Sequence, residues 1–239
     1  MKVLGVIPAR GGSKGISNKN LALLAGKPLL AYTCEQALAA KTLTRVIISS
    51  DDETIAACAK RFGIEVPFMR PIELAQDETP MLEVLQHAVR MLEESEGYRP
   101  DILVLLQPTS PLRRAEHIDA AVRLLQESDA DSVVSVVEVP HQFTPHSLLR
   151  LEEGCLVPYL NGPQLLRRQE KPILYARNGP AVLAVRRRVL ERQSLYGKIS
   201  RPLVMPLEAS VDIDGPSDLA LAEALLRQTD ALSSKSHER

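Results

Sequence analysis

Along this chain, short apolar runs alternate with stretches in which apolar residues recur every three or four positions. Val3–Ile7, Arg45–Ser49, Glu65–Phe68, Asp101–Leu106 and Ser132–Val137 read as strands. Between them, Leu82, Leu85, Val89 and Leu92 keep helical spacing, and so do Ile118, Val122 and Leu125. This alternation predicts an α/β fold, a doubly wound and mostly parallel sheet with helices on both faces. Thr79-Pro80 reads as an N-cap followed by proline in the first turn. Ser50-Asp51-Asp52-Glu53 sets caps and acids at another helix start, where the helix dipole favours negative charge.

The alternation breaks after Val139 and resumes with strand patterns at Ala181–Val185, Leu203–Met205 and Ser210–Ile213. Pro216–Arg227 closes the chain as an amphipathic helix, and the polar residues from Thr229 read as a frayed tail. The expected organisation is an α/β domain over 1–139 and 176–228, an insertion over 140–175 and a flexible tail over 229–239. Tyr159, Leu160, Leu165 and Leu166 lie in an insertion too small for its own core. They need a partner surface, which a second subunit would supply.

Length and composition narrow the function. The 239 residues suffice for one large α/β domain, and a net charge of −1 lacks the basic stripe of a nucleic-acid binder. No apolar run is long enough to span a membrane, and the N-terminus enters a strand directly, without the order of a signal peptide. Cys34, Cys58 and Cys155 are few, odd in number and widely spaced, which fits reduced thiols in a cytoplasmic protein.

The densest chemistry follows the first strand: Pro8-Ala9-Arg10-Gly11-Gly12-Ser13-Lys14-Gly15, then Asn18-Lys19-Asn20. A strand that empties into a glycine-rich loop with three cations is suited to an anion, and a nucleotide triphosphate is the expected cargo. Two familiar phosphate loops are excluded. Gly26-Lys27 is followed by Pro28 and lacks a glycine five residues upstream, so it is no P-loop. Arg10 stands where a dinucleotide fingerprint has its first glycine, and no acid ends the second strand at the usual distance.

This loop, together with Leu106-Gln107-Pro108-Thr109-Ser110-Pro111-Leu112-Arg113, Arg177-Asn178-Gly179-Pro180-Ala181 and Ser210-Val211-Asp212-Ile213-Asp214, resembles the ordered motifs of the acylneuraminate cytidylyltransferases. The resemblance runs from residue 1 to about 227. It implies a Rossmann-like nucleotidyltransferase fold with a small dimerisation insertion, and transfer of CMP from CTP to a sialic-type 2-keto sugar acid.

Roles follow from the resemblance, checked against residue chemistry. Arg10, Lys14 and Lys19 would hold the CTP phosphates beside Gly11, Gly12 and Ser13, with Arg10, Lys19 and Asp212 central to catalysis. Ala9 and Asn20 would contact the cytidine, and Asp77–Met81 would close over it, with a helix cap the equal reading of Thr79. Asp212 and Asp214 would leave one face of a strand with Ile213 turned to the core, a pairing suited to magnesium or to a solvated strand end. Gln107 would meet the sugar acid at the carboxyl edge of the sheet, with Thr109, Ser110 and Arg113 lining the same pocket. The plainer alternative there is a stiff proline loop in which Ser110 caps the next helix. Arg168, Gln169, Tyr175 and Asn178 would belong to the dimer arm that reaches a neighbour's site in a homodimer. Arg168 or Arg177 would meet the acceptor carboxylate, or serve only in surface ion pairs.

Where the relatives place a lysine toward the acceptor, the nearest counterpart is His146, which is mostly neutral near pH 7. That points toward a related nine-carbon acid such as legionaminate or pseudaminate. His87 reads as structural. The rivals are a 3-deoxy-manno-octulosonate cytidylyltransferase and a non-catalytic nucleotide sensor on the same scaffold.

Overall fold

In a computed structural model of the chain, the described residues are 1–161 and 167–236, with the side chains of Arg168 and of 230–236 set aside. Leu165 and Leu166 therefore lie outside the description. Among the described residues, eleven strands and six α-helices follow one another: β1 Val3–Pro8, β2 Leu23–Leu24, β3 Lys27–Pro28, α1 Leu29–Ala39, β4 Arg45–Ser49, α2 Glu53–Arg61, α3 Met81–Glu96, β5 Ile102–Leu105, α4 Ala115–Gln126 and β6 Ser132–Glu138 lead. The rest are β7 Leu149–Glu152, β8 Cys155–Pro158, β9 Tyr175–Arg177, β10 Leu183–Arg186, α5 Arg187–Glu191, β11 Ser200–Val204 and α6 Pro216–Ser236.

The central sheet runs β11-β6-β10-β5-β1-β4. β4, β1 and β5 are parallel, as are β6 and β11, while β10 enters antiparallel between β5 and β6. β9 also pairs antiparallel with β6, beyond the residues that β10 occupies. The segment 178–182 thus bulges out of a nearly continuous edge, opposite Ser135, at the end of the sheet where β1, β4 and β5 finish.

Strict alternation within buried strands explains the two helical layers. Val3, Ile7, Ile48, Ile102, Val104 and Leu106 face one core with Leu30, Cys34, Ile55 and Val122. Leu4, Val6, Ile47, Leu103 and Leu105 face the other, with Leu85, Leu92, Val189 and Leu190. Each such side chain contributes about 1.5–3 kcal/mol on burial, so slipping a strand by one residue is strongly opposed. Cys34 and Cys58 are buried and Cys155 is exposed, all three free thiols, and burial pushes the Cys34 thiol up to about 12.

Several local expectations are corrected. Glu65–Phe68 forms a single bridge, Ile47 to Glu65, because only one register position reaches β4. Ser210–Ile213 is irregular and docks by a single backbone bond, Ile213 N–H to Thr109 O at 2.8 Å. The strand expected at Leu203–Met205 lies at Ser200–Val204, in parallel register with β6. Thr79 does not cap α3: Pro80 holds the cap position and the Thr79 hydroxyl donates to Glu73 O at 3.3 Å. Ser110 does not cap α4, which starts after Arg114, and its buried Oγ has no partner. α6 continues through Ser236 instead of ending at Arg227. At α2 the Asp52 carboxylate does accept from the Thr54 and Ile55 N–H groups. His87 is buried edge-on against Phe68, ring centroids 5.1 Å apart.

Candidate active site

The site forms where β1, β4 and β5 end. β1 stops at Pro8, and the buried Ala9 donates its N–H to Ser49 O. From there the chain loops outward through Arg10–Asn18 and returns at Lys19-Asn20. The buried Asn20 amide closes the loop by donating to Arg10 O at 2.9 Å. The Gly11 N–H is held by Asp51 Oδ1 at 3.1 Å. Asn20 and Gly11 therefore brace the loop, while Ser13 and Lys14 line its open side.

Lys19 joins this loop to the far end of the chain. Its ammonium donates to Ile213 O at 2.8 Å and pairs with Asp214 Oδ1 at 3.2 Å. Gly15 meets the same segment so closely that any Cβ there would collide with the carbonyl oxygen of Asp214. Asp212 and Asp214 do not project from a strand, because the segment is irregular: Asp212 is half-buried, Ile213 buried and Asp214 exposed. Burial holds the Asp212 carboxyl above the ordinary carboxylate range, and the negative Asp214 adds to the effect.

The 178–182 bulge closes the third side. Asn178 is buried at its root, accepting from Ser135 Oγ at 2.6 Å and donating to Ser210 Oγ at 2.9 Å. Gly179 follows at φ 113°, a conformation that side chains rarely adopt, and a Cβ there would lie 3.3 Å from Ser110 Oγ and 3.4 Å from Asp212 Oδ2. Gln107 donates to Gly179 O at 3.0 Å. Thr109 Oγ1, Ser110 Oγ and Asp212 Oδ1 are all buried without a hydrogen-bond partner. The Thr109 hydroxyl lies close enough to the Asp212 carboxylate to oppose the effect of its burial, and the polar capacity left at this corner suits a ligand.

Arg113 is buried and stands behind this corner. Its guanidinium donates to Gln107 O at 3.0 Å, Ala181 O at 2.8 Å and Thr33 Oγ1 at 2.6 Å. It ties β5, the bulge and α1 together, and burial pushes it down to about 9.

A cavity of about 380 Å³ occupies the centre, lined by Arg10, Lys14, Lys19, Gln107, Thr109 and Asp214 among others. Two further residues line it: Arg70, for which the sequence suggests no role, and Asp77, expected to help close over the cytidine but found here on the loop cations. Arg70 is buried, its Nη2 3.7 Å from Asp51 Oδ1, with Nε and Nη2 free of hydrogen-bond partners. Burial lowers its guanidinium below the ordinary value, and Asp51 opposes that. Asp77 pairs with Lys14 and, at 2.5 Å, with Arg10 Nη2. Lys14 and Arg10 hold its carboxyl below the usual carboxylate range. Arg70 follows an apolar extended run at this sheet edge, a signal the sequence does contain. Nothing in the sequence announces the pairing of Asp77 with Arg10 and Lys14.

Gln169 and Tyr175 are exposed and away from these cavity walls. Arg168 opens a short 3-10 turn, Arg168–Glu170. Arg177 donates to the Tyr196 hydroxyl at 2.8 Å.

A family model described as cytidylyltransferase matches residues 4–237. The chain belongs to the cytidylyltransferase family. The N-acylneuraminate cytidylyltransferase of Escherichia coli is 34% identical over 92% of the chain, and the chain spans 51% of that relative's length. The CMP-N,N'-diacetyllegionaminic acid synthase of Legionella pneumophila is 36% identical over 95% of the chain and 97% of its own length. Among solved structures, a CMP:2-keto-3-deoxy-manno-octonic acid synthetase complexed with CTP superposes with a TM-score of 0.68 at 19% identity, covering 96% of this chain and all of that one. That likeness establishes a shared cytidylyltransferase fold.

Proposed function

We propose that this cytidylyltransferase moves CMP from CTP to the anomeric hydroxyl of a nonulosonic, sialic-type 2-keto sugar acid. The reading rests on one observation: Lys19 bridges the cationic loop and the Asp212–Asp214 segment across a single cavity. Opposite charges 195 positions apart meet where a metal-bound triphosphate needs both. The named relatives act on acids of this class.

The acceptor hydroxyl oxygen attacks the α-phosphorus, the bond from that phosphorus to the bridging oxygen breaks, and pyrophosphate leaves with the bonding pair. The hydroxyl proton passes to solvent. Arg10, Lys14 and Lys19 offset charge on the phosphates and so stabilise the leaving group. Arg70, whose buried Nε and Nη2 have no hydrogen-bond partner beyond the longer ion pair with Asp51, donates to the nucleotide. Gln107 is pinned by Arg113 through its carbonyl and orients the sugar acid.

Asp212 and Asp214 suit magnesium, because the half-buried Asp212 carboxylate has, among the described residues, only the Thr109 hydroxyl beside it and Asp214 is exposed two residues on. Among the described residues no group of three or more His, Cys, Asp or Glu side chains could hold a metal. These two acids and the phosphates would therefore share the ion. Bound there, it would neutralise phosphate charge and orient the reacting phosphate.

We read the protein as a cytoplasmic homodimer. β7 and β8 form a separate hairpin that exposes Leu149, Leu151 and Leu156, with Phe143 and Tyr159 beside it. Such a patch is unusual for a free monomer and fits a second copy. Arg168, Gln169 and Tyr175 would then approach the partner's sugar-acid pocket.

Pyrophosphate release with CTP and a panel of N-acetylneuraminate, di-N-acetyllegionaminate, pseudaminate and 3-deoxy-manno-octulosonate tests the activity. Release with any nine-carbon acid supports the reading. Release with the octulosonate alone, or tight CTP binding with release from none, overturns it.

A further inference from the structure

We propose that Asp77 is a built-in stand-in for phosphate. It occupies the cationic grip in the empty enzyme, and an incoming nucleotide displaces it and frees the segment 72–79.

The geometry is that of a competitor. The Asp77 carboxylate engages both Arg10 and Lys14, one oxygen on each, and lines the same cavity. A phosphate held by these two cations would bring its negative oxygens against that carboxylate, and like charges in direct contact repel even where solvent reaches them. The ion pairs and the phosphate contacts are therefore mutually exclusive.

The surrounding segment is built to let go. None of residues 71–80 is buried. Its internal bonds are local: Ala75 N–H to Ile72 O, Gln76 Nε2 to Ile72 O, and the Thr79 hydroxyl to Glu73 O. Among the described residues, apart from the Leu74 N–H bond to the adjoining Pro71 O, the hydrogen bonds and ion pairs that tie 72–79 to the rest of the protein are those of Arg10 and Lys14 with Asp77, and of Arg10 with Ala75 O at 3.5 Å. Segments without buried apolar contacts open at little cost, so charge is the main tether here. When phosphate takes both cations the tether is gone, yet Asp52-capped α2 and the body of α3 stay packed.

The proposal rests on the nucleotide reading of this cavity, but pyrophosphate alone reports on it. Calorimetric titration would compare wild type with Asp77→Asn and Asp77→Ala, using CTP, inorganic pyrophosphate and cytidine. Removing the competitor should tighten CTP and pyrophosphate by about three- to tenfold, the range expected for two partly exposed ion pairs. Cytidine, which brings no phosphate, should bind unchanged. Amide hydrogen exchange over 72–79 should accelerate in both variants, and in wild type when pyrophosphate is added. Unchanged or weaker phosphate binding, an equal gain for cytidine, or exchange indifferent to pyrophosphate would each overturn it. A wild type that binds pyrophosphate but not CTP would instead strike the nucleotide reading and leave the role of Asp77 standing.

Discussion

Lys19 Nζ lies 3.2 Å from Asp214 Oδ1 and 2.8 Å from the carbonyl oxygen just before it, although 195 residues separate the two. The contact makes the opening loop and the closing acid segment one unit. Lys19→Ala should lower turnover by about 10²–10³, the cost of removing one donor aimed at developing charge. Its effect on stability should be about 1–2 kcal/mol, because solvent screens the pair with exposed Asp214 but the part-buried Ile213 carbonyl loses its donor. Steady-state kinetics beside denaturant unfolding separate the two effects.

Gly15 carries the steric side of the same junction. Gly15→Ala must push the Asp214 carbonyl aside, so a loss of about 1–3 kcal/mol is expected. Turnover should fall with it, because the displaced segment carries Asp212. Wild-type unfolding midpoint and rate in this variant would refute the tight junction.

Asp212 links stability to pH. Burial raises its carboxyl in the folded chain, so the folded state binds that proton more tightly than the unfolded state does. Stability should therefore fall as pH rises from the ordinary carboxylate value through the raised one. Asp212→Asn cannot ionise, so it should melt higher than wild type at neutral pH, lack that slope and lose turnover by orders of magnitude. Melting curves across pH, with and without magnesium and CTP, check this: the added pair should stabilise wild type more than the variant.

The β7–β8 hairpin should govern assembly. Leu151→Lys with Leu156→Lys places two charges on its most exposed apolar positions, 72% and 67% accessible. Sedimentation should show a dimer for wild type and a monomer for the double variant. Circular dichroism should be preserved, since the hairpin is a separate sheet.

Much of the fold was legible because alternation and helical spacing are properties of neighbouring residues. The buried strands β1, β4, β5, β6 and β10 are ones the apolar runs announced, whereas the exposed β7, β8 and β9, which pair over three or four positions, carry no such run and are not expected from the sequence. Glu65–Phe68 and Ser210–Ile213 have strand-like composition yet do not form strands, because no sheet edge lies alongside them over enough length. Ser110 and Thr79 look like caps, but a cap requires the helix to begin one residue later, and local packing moved both starts. Among the site residues, the cationic loop and the two aspartates carry motifs. Arg70 has only the apolar run before it, Asp51 reads as one of the acids at a helix start, Asp77 opens the segment expected over the cytidine, and none of them announces the contact it makes. Asp51 reaches the loop from the turn after β4, and it acts on the Gly11 N–H and on Arg70 alike.

The sequence alone determined the layered α/β architecture, the anion-seeking loop and the acids that answer it, since each is written in consecutive residues and their spacing. Only the tertiary structure decided how they meet. With β10 running antiparallel between β5 and β6, the 178–182 bulge is brought over Gln107 and Asp212, and the docking of Ile213 on Thr109 carries Asp214 to Lys19 and Gly15. Those contacts depend on strand order and direction across the whole sheet, which no local pattern encodes.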